Sequence, residues 1–265
     1  MNIIETSGLG KRYGRSWALK DCAVAIPEGQ LAALVGPNGA GKTTLLHMSV
    51  GLTRPTAGQV TVLGSEPAGS PAALDQIAFV AQDAPLYKNL PVADMLHLTR
   101  NLNRRWDQQR AEARLKELSI PLDRKVGKLS GGQQAQLALT LALARRPALL
   151  VLDEPLANLD PLARHDFMAS VMTAMAADGV SVVLSSHVLA ELERVANYLV
   201  LISRGRVQLA GEVNDLLARH RLLPEWHSRR ISLEELTMAY LREPAAAAQP
   251  GPARSWDAEP TEVPR

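Results

Sequence analysis

Four short segments of the chain are apolar at every position except Ser181, and they lack the alternation of apolar and polar positions that marks a strand with one solvated face. Such runs predict strands of a parallel sheet that is covered on both faces. The segments are residues 31–35, 77–81, 149–152 and 180–184. The residues that follow them are Gly36, Gln82, Asp153 with Glu154, and Ser185, Ser186 and His187. Because ligands of open parallel sheets bind outside the carboxyl ends of the strands, these termini predict a single site at one edge.

Composition limits the classes of protein that fit this pattern. With 265 residues and 46% hydrophobic content, the chain can form one large α/β domain with room for an inserted subdomain. The formal net charge of +2 does not suggest a strongly basic nucleic-acid binder. Cys22 is the single cysteine, so no internal disulfide is expected, and we expect a small buried residue rather than a reactive thiol. The most apolar stretch, residues 137–152, is interrupted by Arg145, Arg146 and Pro147 and is too short to cross roughly 30 Å of hydrocarbon.

The first strand terminus carries the most specific motif. Residues 36–43 read GPNGAGKT, which fits the pattern G-x-x-x-x-G-K-[ST] between a predicted strand and a helix predicted over residues 43–50. The glycines let successive backbone N–H groups face phosphates, Lys42 neutralises terminal phosphate charge, and Thr43 supplies a hydroxyl ligand for Mg²⁺. The alternative is a tight strand-to-helix turn that binds nothing. We therefore predict a site for ATP with Mg²⁺.

Further polar side chains follow the other predicted strands. Asp153 is placed to hold Mg²⁺, mostly through water, and Glu154 is placed to polarise an attacking water. His187 can donate a hydrogen bond to the terminal phosphate, and Gln82 can reach Mg²⁺ or its water. The alternatives are two solvated acids, a structural histidine and an exposed loop amide. Since a general base contributes about 10²–10⁴-fold in rate, Glu154→Gln is expected to keep nucleotide binding and to slow turnover by that factor.

A second glycine loop begins another predicted helix. It consists of Leu129, Ser130, Gly131, Gly132 and Gln133 and runs into a stretch rich in leucine and alanine. A helix N-terminus with bare N–H groups suits an anion, but this loop has no lysine to follow a phosphate. We infer that the loop is half of a composite site: in two copies that meet head to tail, Ser130 and the N–H of Gly132 of one copy cap the ATP of the other. Hydrolysis would remove that contact and open the pair.

Several motifs occur together and in a definite order. They are GPNGAGKTT, Gln82, LSGGQ, LLVLDEP, NLD at residues 158–160, and His187. In this order the sequence resembles the ATP-binding subunit of an ABC transporter, over about residues 2–222. The resemblance implies an α/β fold: a P-loop NTPase core with a mostly parallel sheet, an N-terminal antiparallel β subdomain and an inserted α-helical subdomain. It also implies hydrolysis of ATP with Mg²⁺.

The resemblance further implies roles for single residues. It implies that Tyr13 stacks on adenine, a contact worth about 1–3 kcal/mol by analogy with other base stacking, although an ordinary aromatic in an N-terminal hairpin is the alternative. It implies that Gln82 senses Mg²⁺ and couples to the membrane subunit, and that Asp160 crosses a dimer interface. The implied ATP-binding residues are Tyr13, Gly36, Pro37, Asn38, Gly39, Ala40, Gly41, Lys42, Thr43 and Thr44. Gln134 and Gln136 stand where family members often carry arginine, which makes this helix surface less basic.

The inserted helical subdomain is expected at about residues 85–145. Within residues 106–120, Ala111, Leu115 and Leu118 share one helical face, with charges on the other. This pattern is typical of a helix that packs against a core. It supports the subdomain that the resemblance implies.

The end of the chain differs in character from the rest. The expected units are the ABC domain over residues 1–222, a connector with a short helix over 223–243, and a disordered tail over 244–265 that is rich in alanine and proline. Ser232 and Glu235 form an S-x-x-E capping box for the short helix. Its predicted face contains Leu233, Leu236 and Tyr240. This helix is similar to the tail helix of subunits that serve ABC-2 exporters.

With no membrane span expected, the resemblance implies separate permease subunits, a second nucleotide-binding subunit, and a peripheral location at the cytoplasmic face of the cell membrane. The groove near residues 82–88 is the expected docking site for permease helices. The predicted function is ATP hydrolysis that drives export, without a nucleic-acid partner. The alternatives are an importer subunit, a soluble ABC-type ATPase that acts on ribosomes or DNA, and a regulatory module that clamps on ATP without hydrolysis. Glu154 and His187 count against the last of these.

Overall fold

The computed structural model describes residues 1–67, 71–82, 85–187, 192–221 and 232–242. In chain order, the helices and strands in these ranges are β1 (Asn2–Tyr13), β2 (Ser16–Pro27), β3 (Leu31–Val35), α1 (Lys42–Ser49), β4 (Ala57–Val62), α2 (Pro71–Leu74), β5 (Ile77–Val80), α3 (Val92–Leu102), α4 (Gln108–Glu117), α5 (Gly131–Leu143), β6 (Leu149–Asp153), α6 (Pro161–Asp178), β7 (Ser181–Ser186), β8 (Tyr198–Ser203), β9 (Arg206–Glu212), α7 (Val213–Arg221) and α8 (Leu233–Arg242). A 3₁₀ turn at Val126–Lys128 precedes α5.

The N-terminal part is an antiparallel sheet with strand order β2-β1-β4. β1 and β2 form a long hairpin that closes at Tyr13 opposite Ser16. Buried aliphatic residues of the three strands pack with α1 and with one face of the larger sheet. Cys22 belongs to this cluster, its thiol lies 3.4 Å from Gly205 O, and burial raises its pKa, as expected for an inert thiol. The N-terminal antiparallel subdomain is therefore confirmed.

The larger sheet has the strand order β5-β6-β7-β3-β8-β9 within the described residues. Its neighbours pair in parallel except β8 and β9, which form an antiparallel hairpin. β3, β6 and β7 are buried at every residue. Alternate residues of one strand enter two different cores: Ala33 and Val35 pack on one face of β3, Ala32 and Leu34 on the other. Burial on both faces explains why these segments are apolar without alternation.

Helices α3, α4 and α5 pack around a separate hydrophobic core. In α4, Ala111 and Leu115 are buried in that core and Leu118 packs against it, as the sequence pattern predicts. The helix begins at Gln108 because the Asp107 carboxylate caps its start by accepting a hydrogen bond from the N–H of Arg110 at 3.0 Å.

The short C-terminal helix begins with the predicted capping box. The Ser232 hydroxyl accepts from the N–H of Glu235 at 3.0 Å, and the Ser232 N–H donates to the Glu235 carboxylate at 3.1 Å. Leu233 and Leu236 are buried in the same core as the larger sheet, and Tyr240 packs against it. Residues 223–231 of the predicted connector and the predicted disordered tail from residue 244 lie outside the described residues. In the described ranges, no helix is long and apolar enough to cross a membrane.

Candidate functional site

The phosphate loop connects β3 to α1 in a backbone shape that depends on glycine. Gly41 has φ 109°, and a Cβ atom on it would lie 2.7 Å from Ala18 O and 2.5 Å from a Leu19 methyl carbon. A Cβ on Gly36 would lie 2.1 Å from Ile202 O. The loop is thus pressed against neighbouring strands, and only glycine fits at these two positions. The helix that follows begins at Lys42, one residue earlier than predicted.

Lys42 is folded back into its own loop. Its ammonium group donates to Gly36 O at 2.8 Å and to Pro37 O at 3.4 Å, and it lies 3.2 Å from a Glu154 carboxylate oxygen. Lys42 is 5% exposed and Glu154 9% exposed. A charged pair at this depth needs such additional hydrogen bonds to offset its desolvation. The structure thus brings the first and third strand termini into direct contact.

Glu154 is also in contact with the fourth strand terminus. His187 Nδ1 lies 2.5 Å from the second oxygen of the Glu154 carboxylate. A carboxylate flanked by Lys42 and His187 has a defined orientation at the mouth of the loop. The half-exposed ring of His187 remains partly accessible from solvent.

The Ser185 hydroxyl contacts both Asp153 and Glu154. Asp153 and Ser185 are paired in the register of β6 and β7. The Ser185 hydroxyl donates to Asp153 Oδ1 at 2.6 Å and accepts from the N–H of Glu154 at 2.8 Å. The sequence predicts Ser185 at the sheet edge but gives no signal for this role. No local motif marks a hydroxyl that lies more than 30 residues from its partners along the chain.

A cleft of about 520 Å³ lies over the phosphate loop. It is lined by Ala18, Asn38, Gly39, Ala40, Gly41, Lys42, Thr43, Thr44, Gln82, Glu154 and His187. All four predicted strand termini therefore contribute side chains to one cavity, and Asp153 lies buried next to Glu154. Tyr13 does not line the cleft. It lies at the end of the β1–β2 hairpin, 52% exposed, with Lys11 Nζ 5.4 Å from the centre of its ring.

The LSGGQ loop belongs to a different cavity, of about 220 Å³, which also includes Asp160. Ser130 caps α5: its hydroxyl accepts from the N–H of Gln133 at 3.2 Å, and the Gln133 side chain accepts from the N–H of Ser130 at 3.1 Å. Leu129 is buried beside the loop. The sequence signal for this capping box is the S-x-x-Q spacing of Ser130 and Gln133.

Asp160 caps the next helix in the same cavity. Its carboxylate accepts from the N–H of Ala163 at 2.9 Å, and Pro161 occupies the first turn of α6. The sequence signal for this cap is an aspartate directly before a proline. α6 packs closely beside the glycine loop. A Cβ atom on Gly132 would lie only 3.0 Å from Ala163 Cβ.

The chain is similar to known proteins over most of its length. The family profile described as "ABC transporter" matches residues 19–157, and a profile described as "AAA domain, putative AbiEii toxin, Type IV TA system" matches residues 122–193. The chain is 34% identical over 221 residues to the Nod factor export ATP-binding protein I of Cupriavidus pinatubonensis, covering 81% of this chain and 68% of the relative. It is 30% identical to the lantibiotic transport ATP-binding protein SrtF of Streptococcus pyogenes, covering 79% of this chain and 91% of the relative. It is 35% identical to the Fe(3+) ions import ATP-binding protein FbpC of Pseudomonas fluorescens, covering 83% of this chain and 64% of the relative.

Solved structures show the same likeness. An ATP-binding subunit of an ABC transporter superposes with a TM-score of 0.78 at 28% identity, over 90% of this chain and 99% of that one. A bacterial ABC transporter cassette whose structure is described as dimeric superposes with a TM-score of 0.70 at 26% identity, over 79% of this chain and 98% of that one. Together with the phosphate loop, the acid pair and the LSGGQ loop, these likenesses show that the chain belongs to the ABC transporter family, as an ATP-binding subunit with ATPase activity.

Proposed function

We propose that Glu154 is the general base of ATP hydrolysis in this chain, and that the reaction drives export through separate permease subunits. The observation that carries the proposal is the position of the Glu154 carboxylate, between Lys42 Nζ at 3.2 Å and His187 Nδ1 at 2.5 Å, in the cleft over the phosphate loop. A base must be held near the reacting water, and these two contacts hold it.

Glu154, Lys42 and His187 each have a role in the proposed hydrolysis. Glu154 accepts a proton from the water that attacks the γ-phosphorus. The bond from the γ-phosphorus to the bridging oxygen breaks, and ADP leaves with that electron pair. Lys42 has three N–H donors, which are directed at Gly36 O, Pro37 O and Glu154, so binding a γ-phosphate must replace at least one of these contacts. His187 then donates to the γ-phosphate.

The same region has a donor set that fits Mg²⁺. The Thr43 hydroxyl, the Gln82 amide oxygen and the Asp153 carboxylate are hard oxygen ligands, and Thr43 and Gln82 line the cleft. When bound, Mg²⁺ neutralises charge on the β- and γ-phosphates. Asp153 is buried behind the cleft, which favours contact through a water molecule.

We further propose that ATP joins two copies head to tail. The first intrahelical bond of α5 runs from the N–H of Gln134 to Ser130 O, and the capping box uses the N–H of Gln133. The N–H groups of Gly131 and Gly132 precede both bonds and can be offered to an anion. The LSGGQ loop and the phosphate-loop cleft are different cavities of one chain, which supports a pairing in which each loop closes the partner's cleft. Asp160, beside the loop, would face the partner.

The permease subunits are proposed to dock beside Gln82. A cavity of about 240 Å³ lies between β5, α3 and α5 and is lined mostly by apolar residues, among them Phe79, Leu86 and Met95. Tyr87 is exposed nearby in the chain. Asp83 and Ala84 of the predicted docking segment lie outside the described residues. Docking here would hold the chain at the cytoplasmic face of the membrane, and Tyr87→Ala is expected to reduce transport while ATPase activity persists.

Export is proposed as the direction of transport. The support is the similarity to a relative named for Nod factor export, together with the resemblance of the C-terminal helix α8 to the tail helix of subunits that serve ABC-2 exporters. A relative named for Fe(3+) import is similarly close, so import is the alternative outcome. Co-purification of the membrane subunits, followed by transport in vesicles with ATP inside or outside, distinguishes the two directions.

The test of the catalytic proposal is Glu154→Gln. We expect phosphate release to fall by about 10²–10⁴-fold, because the amide cannot accept the proton of the attacking water. Nucleotide binding should persist, and the mass in solution with MgATP should double as the pair is trapped. Glu117→Gln, at an exposed position of α4, is the control and should match the unsubstituted protein. Normal ATPase activity in Glu154→Gln would remove Glu154 from the role of base.

A further inference from the structure

We propose that Ser185 is a positioning residue that sets the orientation of Asp153 and Glu154 together. This inference rests on the proposed roles of those two acids. Ser185 is 0% exposed and lies on β7, paired in register with Asp153 on β6. Its hydroxyl contacts both acids, one through its carboxylate and one through its backbone.

The direction of both hydrogen bonds is determined by chemistry. A backbone N–H can only donate, so the Ser185 oxygen accepts from Glu154 at 2.8 Å. The single hydroxyl proton is then directed at Asp153 Oδ1, and the two oxygen atoms lie 2.6 Å apart. A serine hydroxyl has one proton, and this one is committed to the carboxylate. Ser185 therefore holds a backbone group and a side chain of adjacent residues in one fixed arrangement.

The backbone of Glu154 explains why this contact matters. Glu154 has φ 47°, in the left-handed region that residues with a Cβ atom rarely adopt. This turn at the end of β6 directs the Glu154 side chain toward Lys42 and His187. A strained conformation persists only where its surroundings support it, and the bond from the Glu154 N–H to Ser185 is such a support.

Removal of the hydroxyl affects both acids. The N–H of Glu154 loses its acceptor, and the Asp153 carboxylate loses a donor at a site that is buried from solvent. Partners that orient a metal-binding or catalytic group through a hydrogen bond typically contribute about 10–100-fold to metal affinity or activity. Ser185 therefore affects kcat and Mg²⁺ affinity without touching the nucleotide.

The test compares Ser185→Ala with Ser181→Ala. Ser181 lies on the same strand, is 1% exposed, and its hydroxyl also accepts from a backbone N–H, that of Gly29 at 2.8 Å. It lies at the opposite end of β7, so Ser181→Ala removes an equivalent buried hydroxyl away from the acids. Thermal unfolding of both variants measures the general cost of losing a buried serine.

In Ser185→Ala we expect kcat to fall by about 10–100-fold. The affinity for Mn²⁺ in the presence of a non-hydrolysable ATP analogue, measured by electron paramagnetic resonance, should fall by about 10-fold. Binding of the analogue without metal should stay unchanged, since the phosphate loop is not altered. Ser181→Ala should keep both kcat and Mn²⁺ binding. Ser185→Thr, which restores the hydroxyl, should recover Mn²⁺ affinity and most of kcat.

Two results would overturn this inference. One is a Ser185→Ala protein that keeps the kcat and the Mn²⁺ binding of the unsubstituted protein. The other is an equal loss in both variants, which would assign the effect to the strand as a whole. Glu154→Gln, measured in parallel, distinguishes failure of the Ser185 proposal from failure of the Glu154 proposal. Full activity in Glu154→Gln would contradict the role of Glu154 as base. An inactive Glu154→Gln together with an unaffected Ser185→Ala would contradict only the role of Ser185.

Discussion

Asp160 has two roles that substitution can separate: a helix cap that the structure shows, and a contact across the dimer that the proposed function requires. Its carboxylate accepts the N–H of Ala163 at 2.9 Å, at the start of the 18-residue α6. Loss of an aspartate cap to alanine costs about 1 kcal/mol. Loss of its negative charge at the helix N-terminus costs about 0.5 kcal/mol more.

The expected destabilisation differs between two variants. Asp160→Ala loses both contributions and should be destabilised by about 1.5 kcal/mol, whereas Asp160→Asn keeps an oxygen acceptor and should lose about 0.5 kcal/mol. For a domain of this size 1 kcal/mol corresponds to about 2–4 °C, so Tm should fall by about 3–6 °C in Asp160→Ala and by about 1–2 °C in Asp160→Asn. Circular dichroism on heating measures both.

ATPase assays of the same two proteins test the second role. If the carboxylate acts across the dimer, Asp160→Asn should lose ATPase activity although its stability is nearly unchanged. Equal Tm values for Asp160→Ala and the unsubstituted protein would refute the capping argument. Asp160→Asn with full ATPase activity would leave Asp160 as a helix cap only.

Two further predictions concern an ion pair and the phosphate loop. Hydrogen bonds from Arg110 lower the pKa of the Asp178 carboxyl below its ordinary value, so the pair stabilises the fold above about pH 4 and is lost as the pH falls through the lowered pKa. Asp178→Asn should therefore cost about 0.5–1 kcal/mol in urea unfolding at pH 7 and progressively less as the pH falls below about 4, and an equal cost at pH 7 and pH 3 would contradict this. Gly41→Ala should prevent ATP binding because its Cβ would lie 2.7 Å from the backbone oxygen of Ala18, whereas Gly39→Ala, with φ 78° and no atom within 4 Å of the added Cβ, should show only backbone strain. Equal nucleotide affinity in the two glycine variants would contradict the steric argument.

Much of the fold could be predicted because its signals are local. A strand buried on both faces reads as an unbroken apolar run, so β3 was located to the residue and β6 to within one residue. Capping boxes and the phosphate loop are short motifs whose residues contact one another within a few positions. The start of α4 was not predicted, and the cap at Asp107 determines it.

The sequence by itself determined the chemistry available to this protein: a phosphate loop, two acids, a histidine and a second glycine loop, each placed at the end of a strand or the start of a helix. Only the tertiary structure decided which of them meet. In the folded chain, Lys42 and His187 contact different carboxylate oxygens of Glu154, and the Ser185 hydroxyl contacts both acids. The LSGGQ loop lies in a separate cavity. These contacts join residues that are far apart in the chain. They depend on strand order and register, which follow from packing of the whole domain rather than from any short segment.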